Sequence, residues 1–351
     1  MENPKSLTPA RKFVRRRIRF TDHAMMTFDR AFIDSSGVFL IGELERLDQR
    51  LNMPLAAYTW SRDVPLRTDV SMGDESASFT NSTFAAPPGV AGSGKAWISK
   101  DATAISGISL DIGKTAQPVP LWGMQLGWTL PELASAAQLG RPVDSQKYEG
   151  MLLKYNMDVD EQAYIGDTAF GTKGLLNHAA VTNNTNVAGT TWPGLITANA
   201  VTAPDLILAD INELLTSVYA ASAFTTPPSR LLLPPLKYTL LASTKVSSAG
   251  NMSILEYVRT NNASRALGVP LDIQPAKYCI GTTNGGVGPG AAGKDRMCAY
   301  TPAERFVRLP LVPLQRTPLE YRGIHQLTTY YGRLGSIETP YPETIGYRDG
   351  V

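Results

Sequence analysis

The chain has 351 residues, enough for a full core split between two lobes, and its 33 basic residues are nearly balanced by 31 acidic ones. That balance excludes a whole-molecule polyanion binder, two cysteines (Cys279 and Cys298) exclude a disulfide framework, and no apolar run reaches membrane-spanning length. Charged residues make up only 18% while Gly (30) and Pro (25) are plentiful, which points to many turns and to surface covered by neighbours.

The N-terminus lacks the apolar stretch of a secretory signal and is basic. Lys5, Arg11, Lys12, Arg15, Arg16, Arg17 and Arg19 are opposed only by Glu2. Such a run is a solvated arm, or one that lies against phosphate or an acidic partner surface. Residues 34–53 follow with Leu40, Leu44, Leu47 and Leu51 at helical spacing, and Pro54 ends that helix. Residues 55–120 then change character. Two extended segments rich in Ser, Thr and β-branched residues flank a Gly/Pro tip, which predicts a long hairpin. A ribbon this polar has little core of its own, so it must lie on its own body or on another subunit.

The spacing of Tyr148, Met151, Leu152, Tyr155, Val159 and Ala163 predicts a long helix over 144–165, capped by Asp144 or Ser145 and closed by Gly166. Asp158, Asp160 and Glu161 sit late in it. Asp158 and Glu161 share a face as i and i+3, but a solvated or interface-facing helix end outweighs an acid/base or metal pair. "APDLILADINELLTSVYAA" predicts a second helix, with Ile207, Ile211, Leu214 and Val218 on one face. A buried strand at "SRLLLPP", a helix at "SILEYVRTN", a strand at "VPLDIQP" and a strand-rich tail broken by prolines complete an α+β chain without internal repeats.

Three glycine loops test for nucleotide binding. "GVAGSGKA" fits G-x-x-x-x-G-K through Gly89, Gly94 and Lys95, but Ala96 replaces the magnesium-binding hydroxyl. A phosphate cradle needs a buried strand before it and a helix after it, and here prolines precede and strand-like sequence follows. "GDTAFGTKG" places Thr172 before Lys173, and the G-x-G-x-x-G at Gly288, Gly290 and Gly293 runs into a strand. All three read as turns that need positive φ or close backbone approach. His23, His178 and His325 lack ligand spacing, the cysteines read as small buried apolar residues, and Trp97, Trp122 and Trp128 read as packing anchors. No catalytic, cofactor-binding or metal-binding residue is assigned.

Three further stretches carry a resemblance. "LGWTLPELASAA" has the Glu132–Leu133 pair, "DVDEQAYIGDTAFGTKGLLNH" has an acidic helix exit and a turn at Gly174–Asn177, and "YYGRLGSIETPYPETIGYRDG" ends the chain. In this order they resemble the major capsid proteins of tailed bacteriophages, the Hong Kong 97-type shell fold, from about Gly37 to Gly350. The resemblance implies an N-terminal arm and helix (1–54), an extended-loop hairpin (55–120), a peripheral (P) domain (121–200 and 310–351) with the spine helix at 144–165, and an axial (A) domain (201–309).

It also implies a non-enzymatic subunit without cofactors, assembling as hexamers and pentamers into the virion capsid in the host cytoplasm. Portal, scaffolding and decoration proteins are the implied partners, with packaged double-stranded DNA held non-specifically and no membrane. Gly92, Ser93, Lys95, Trp97 and Lys100 at the loop tip would touch a neighbouring subunit, and Arg15, Arg16, Arg17 and Arg19 would meet DNA or a neighbour. Some members weld subunits through an isopeptide bond from an extended-loop lysine; Lys95 and Lys100 lie in the matching region, and the sequence assigns the bond to neither. Too little chain precedes the hairpin for the cleaved scaffolding segment of some members, so a separate scaffold, or none, is expected. The alternatives are an encapsulin-like nanocompartment shell, a triphosphate hydrolase using Lys95, and an α+β enzyme using Asp158 and Glu161.

Overall fold

A computed structural model describes residues 56–85, 100, 107–138, 143–181, 183–185, 189–247 and 251–351. The basic arm with Arg15, Arg16, Arg17 and Arg19, the helix expected over 34–53, and the tip residues Gly92, Ser93, Lys95 and Trp97 lie outside them.

A single helical turn, α1 (Trp60–Asp63), precedes the two-residue β1 (Leu66–Arg67). β2 (Ser76–Ala85) and β3 (Ser109–Pro118) then pair antiparallel without interruption, from Ser76 opposite Pro118 to Ala85 opposite Ser109. This is the expected hairpin, and it forms a two-stranded sheet of its own. β4 (Leu121–Thr129) leads directly into α2 (Leu130–Gln138). The junction is a capping box. Thr129 Oγ1 accepts the Glu132 N–H at 3.2 Å, and the Glu132 carboxylate accepts the Thr129 N–H at 3.4 Å.

The long helix α3 (Val143–Tyr164) buries Met151, Tyr155, Val159 and Ala163 as its periodicity predicts. Tyr148, expected on the same stripe, stays exposed, with its ring 5.4 Å from that of Tyr330. Gly166 closes the helix at φ +78°, where a left-handed residue turns its N–H back to the Glu161 carbonyl at 3.1 Å. β5 (Asn183–Thr185), α4 (Trp192–Ala198) and α5 (Ala203–Ala221) follow. Ile207, Ile211, Leu214 and Val218 of α5 are all buried, as expected, each contributing about 1.5–3 kcal/mol through burial. Apart from single helical turns, the remaining elements are β6 (Arg230–Leu233), α6 (Pro235–Ser243), α7 (Ile254–Asn261), β7 (Asp272–Pro275), β8 (Arg296–Tyr300), β9 (Leu309–Arg316), β10 (Glu320–Arg322), β11 (His325–Leu334) and β12 (Gly346–Asp349).

Two five-stranded sheets organise these elements. One has the order β1-β9-β11-β10 with β4 also paired to β11, and the other has the order β5-β12-β8-β6-β7. The proline-broken tail therefore divides. β9, β10 and β11 stay with β4, whereas β12 crosses to the second sheet, antiparallel to β8 and parallel to β5. Buried charge holds it there. Asp349 is bound by Arg296 of β8, and Arg348 by Asp210 of α5. One core packs the α3 stripe against β8, β9 and Tyr347; a second packs α5 against β6, β7 and β8. Cys279 and Cys298 are free thiols, fully buried in the first core, and burial pushes both thiols up in pKa.

Candidate assembly surface

The β2–β3 hairpin carries the surface that the fold leaves least explained. Directly opposite residues of an antiparallel pair point to the same face, so Phe84 and Leu110 stand side by side, with Ile112 opposite Ser82 next along. Phe84 is 65% exposed, Leu110 54% and Ile112 60%, and Ile108 lies exposed just before β3. Each such side chain forgoes about 1.5–3 kcal/mol while it stays in water. At the root the ribbon instead rests on its own chain: Ala77 is buried, and Asn81 donates to the Pro340 carbonyl at 3.2 Å. Lys100, the one tip residue described, is exposed in a turn. The strands are only weakly apolar in composition, and the alternation in "SLDIG" is the sequence signal for this apolar face.

The root is clamped by charge. Glu338, fully buried, accepts from Arg67 Nη1 at 2.7 Å and from Arg308 Nε at 2.6 Å. The same Arg67 donates to the Ser78 carbonyl of β2 at 3.1 Å and chelates Asp69, whose carboxyl its guanidinium holds below the usual range. Arg333 reaches the carbonyls of Met72 and Val119 at 2.7 and 2.9 Å, one on each side of the hairpin. The ribbon therefore leaves the body in a set direction.

At the acidic end of α3, expected from sequence to be solvated or interface-facing, only part of the charge is in water. Asp160 is fully buried, accepts the N–H groups of Thr59 and Trp60 at 2.8 and 2.9 Å, and pairs with Lys277 at 3.0 Å. It thus serves the first turn of α1 in the way a capping carboxylate does. Asp63, also fully buried, is bound by Arg62, by Arg230 at 3.4 Å and by the Tyr164 hydroxyl, whose pKa burial and the adjacent carboxylate push up. Asp158 accepts from Trp122 Nε1 at 2.9 Å and pairs with Lys154. Only Glu161 remains exposed. An Asp158–Glu161 acid/base pair has no support in this geometry, because Asp158 is already committed to two donors. Among the described residues no group of three or more His, Cys, Asp or Glu side chains is placed to hold a metal ion.

The glycine loops behave as turns where they are described. Gly290 allows its backbone to approach Lys294 so closely that a Cβ would stand 1.9 Å from the Lys294 carbonyl oxygen. A single 3-10 turn (Ala291–Gly293) and then β8 follow, and not an α-helix. Trp122 and Trp128 pack beside Met151, as anchors.

Residues 94–351 match the family model described as "Major capsid protein". No curated protein matches. Among solved structures the chain is similar to the capsid of Myoviridae phage XM1, at 17% identity and TM-score 0.67, covering 88% of this chain and 98% of that one. It is also similar to the capsid of the native GTA particle (12%, TM-score 0.55, 88% and 96% covered) and to that of Mycobacterium phage Bobi (13%, TM-score 0.54, 88% and 96%). At these identities the structural likeness speaks for the fold alone.

Proposed function

The chain belongs to the major capsid protein family and has the Hong Kong 97-type fold, and from that premise we propose that its copies close into the icosahedral shell enclosing the double-stranded DNA genome of a tailed phage. The single observation that carries this reading is the hairpin. It projects an apolar face that the described body leaves in water, from a root held by buried ion pairs. A neighbouring subunit that buries Phe84, Leu110 and Ile112 recovers that energy, and repetition around a closed shell turns modest pair affinities into a stable container.

In this reading the hairpin is the extended loop, α3 the spine helix, residues 121–200 and 310–351 the peripheral domain and residues 201–309 the axial domain, the second sheet taking β5 and β12 from the former and β6, β7 and β8 from the latter. Gly92, Ser93, Lys95, Trp97 and Lys100 make neighbour contacts at the loop tip, and Arg15, Arg16, Arg17 and Arg19 meet DNA or a neighbour. DNA contact of this kind is sequence-independent and salt-sensitive. Hexamers and pentamers of the chain meet a portal, a scaffolding protein and decoration proteins, assembly proceeds in the host cytoplasm, and the subunit catalyses nothing.

Electron microscopy of the full chain, expressed alone and with its scaffold, tests the proposal. Closed shells are expected; a small monomer that never assembles under any condition overturns it.

A further inference from the structure

A groove of about 460 Å³ opens at the C-terminal end of α3, and we propose that it receives the basic N-terminal stretch Arg11–Phe20 of a second copy of this chain. The proposal rests on the reading of the chain as a self-assembling shell subunit, because assembly is what brings copies side by side.

The groove has apolar walls and an acidic rim. Trp122, Ile165, Phe170 and Leu334 line it, Phe170 being more than half exposed. Among the described residues, Asp158, Glu161 and Asp167 supply all of its charged groups, and no basic residue faces in. Asp158 is partly neutralised by Lys154, whereas neither Glu161 nor Asp167 forms an ion pair with any described residue. The C-terminal end of a 22-residue helix adds the negative end of its dipole at the same place. An occupant must therefore bring positive charge together with apolar side chains. The same field repels DNA.

The sequence "RKFVRRRIRF" has that composition. It interleaves Arg11, Lys12, Arg15, Arg16, Arg17 and Arg19 with Phe13, Val14, Ile18 and Phe20, and contains no acidic residue. Its four apolar side chains match the groove walls in kind, and its cations match the Glu161 and Asp167 carboxylates, neither of which is neutralised by a described cation although Asp167 also accepts the Ala169 N–H at 2.8 Å. A segment destined only for phosphate has no need of two phenylalanines.

The test uses the full chain carrying Arg16→Cys and Glu161→Cys, assembled into particles and mildly oxidised. Cys279 and Cys298 are fully buried and stay silent. On non-reducing denaturing gels a ladder of covalent multimers is expected, and none from a control pairing Arg16→Cys with Glu256→Cys on the exposed side of α7. Particles that form without the ladder overturn this proposal alone, as do cross-links confined to single chains. Failure of the unaltered chain to form particles overturns the shell reading and this proposal with it. If the cysteine pair blocks assembly, a labelled peptide of residues 9–21 is titrated onto the unassembled full chain. Glu161→Lys with Asp167→Lys should then weaken binding by about tenfold, and an unchanged affinity overturns the assignment.

Discussion

The buried carboxylate of Asp160 accepts the backbone N–H of Trp60 at 2.9 Å, joining the last turns of the long helix to the segment that leads into the hairpin across 100 residues of chain. Replacing it by Ala strands two backbone donors and removes the anion paired with Lys277, which keeps the Ala57 carbonyl at 2.7 Å. Asp160→Ala should therefore cost about 3 kcal/mol, read as a lower denaturant midpoint. Asp160→Asn keeps an acceptor for the amides and should lose clearly less. Equal losses for the two would show that the amides contribute nothing.

The apolar face of the hairpin makes the opposite prediction. Leu110→Asp with Ile112→Asp alters side chains that are already in water, so the stability of the isolated subunit should change by no more than about 0.5 kcal/mol. Assembly should fail, seen by sedimentation as loss of the particle peak. A subunit that unfolds, or particles that form in normal yield, would separate this face from assembly.

Glu338 ties two guanidiniums at the hairpin root. Glu338→Gln leaves Arg67 and Arg308 without their shared anion and should cost about 3 kcal/mol, with faster amide exchange throughout β2 and β3. Arg67→Lys keeps the charge but loses the planar fork, and should loosen the hairpin root while leaving the rest of the sheet protected. Uniform exchange in both variants would refute the clamp.

Acid should act at two places in sequence. Burial lowers the pKa of His178 from its ordinary 6.5, and its Nδ1 accepts the Ala180 N–H at 3.4 Å. The unfolded chain therefore takes up this proton first, and stability present above about 6.5 declines as pH falls below it. His178→Gln should flatten that part of the curve of urea midpoint against pH. For Asp349 burial raises the pKa, but hydrogen bonds from Arg296, the Ala291 N–H and Asn183 outweigh it and leave the carboxyl below 3.8. Its contribution is complete above that value and is lost as pH falls through the lowered one. Asp349→Asn should remove this second, more acidic decline.

Local pattern alone was enough for much of the molecule. The stripe from Met151 to Ala163, the face from Ile207 to Val218 and the Ser, Thr and β-branched content of the hairpin are set by side chains a few positions apart, and those elements form where these patterns predict. The order of parts was enough to mark the family. Nothing local distinguishes Asp160, which is sealed against Thr59 and Trp60, from its exposed neighbour Glu161; only the incoming segment decides that. The tail shows the same division. Its strands were legible as strands, but the crossing of β12 to a second sheet depends on Arg296 and Asp210, which meet Asp349 and Arg348 across 53 and 138 residues. Short-range periodicity is a property of neighbours along the chain. Burial of a charge is a property of whatever partner the whole fold brings to it, and only the tertiary structure supplies that partner.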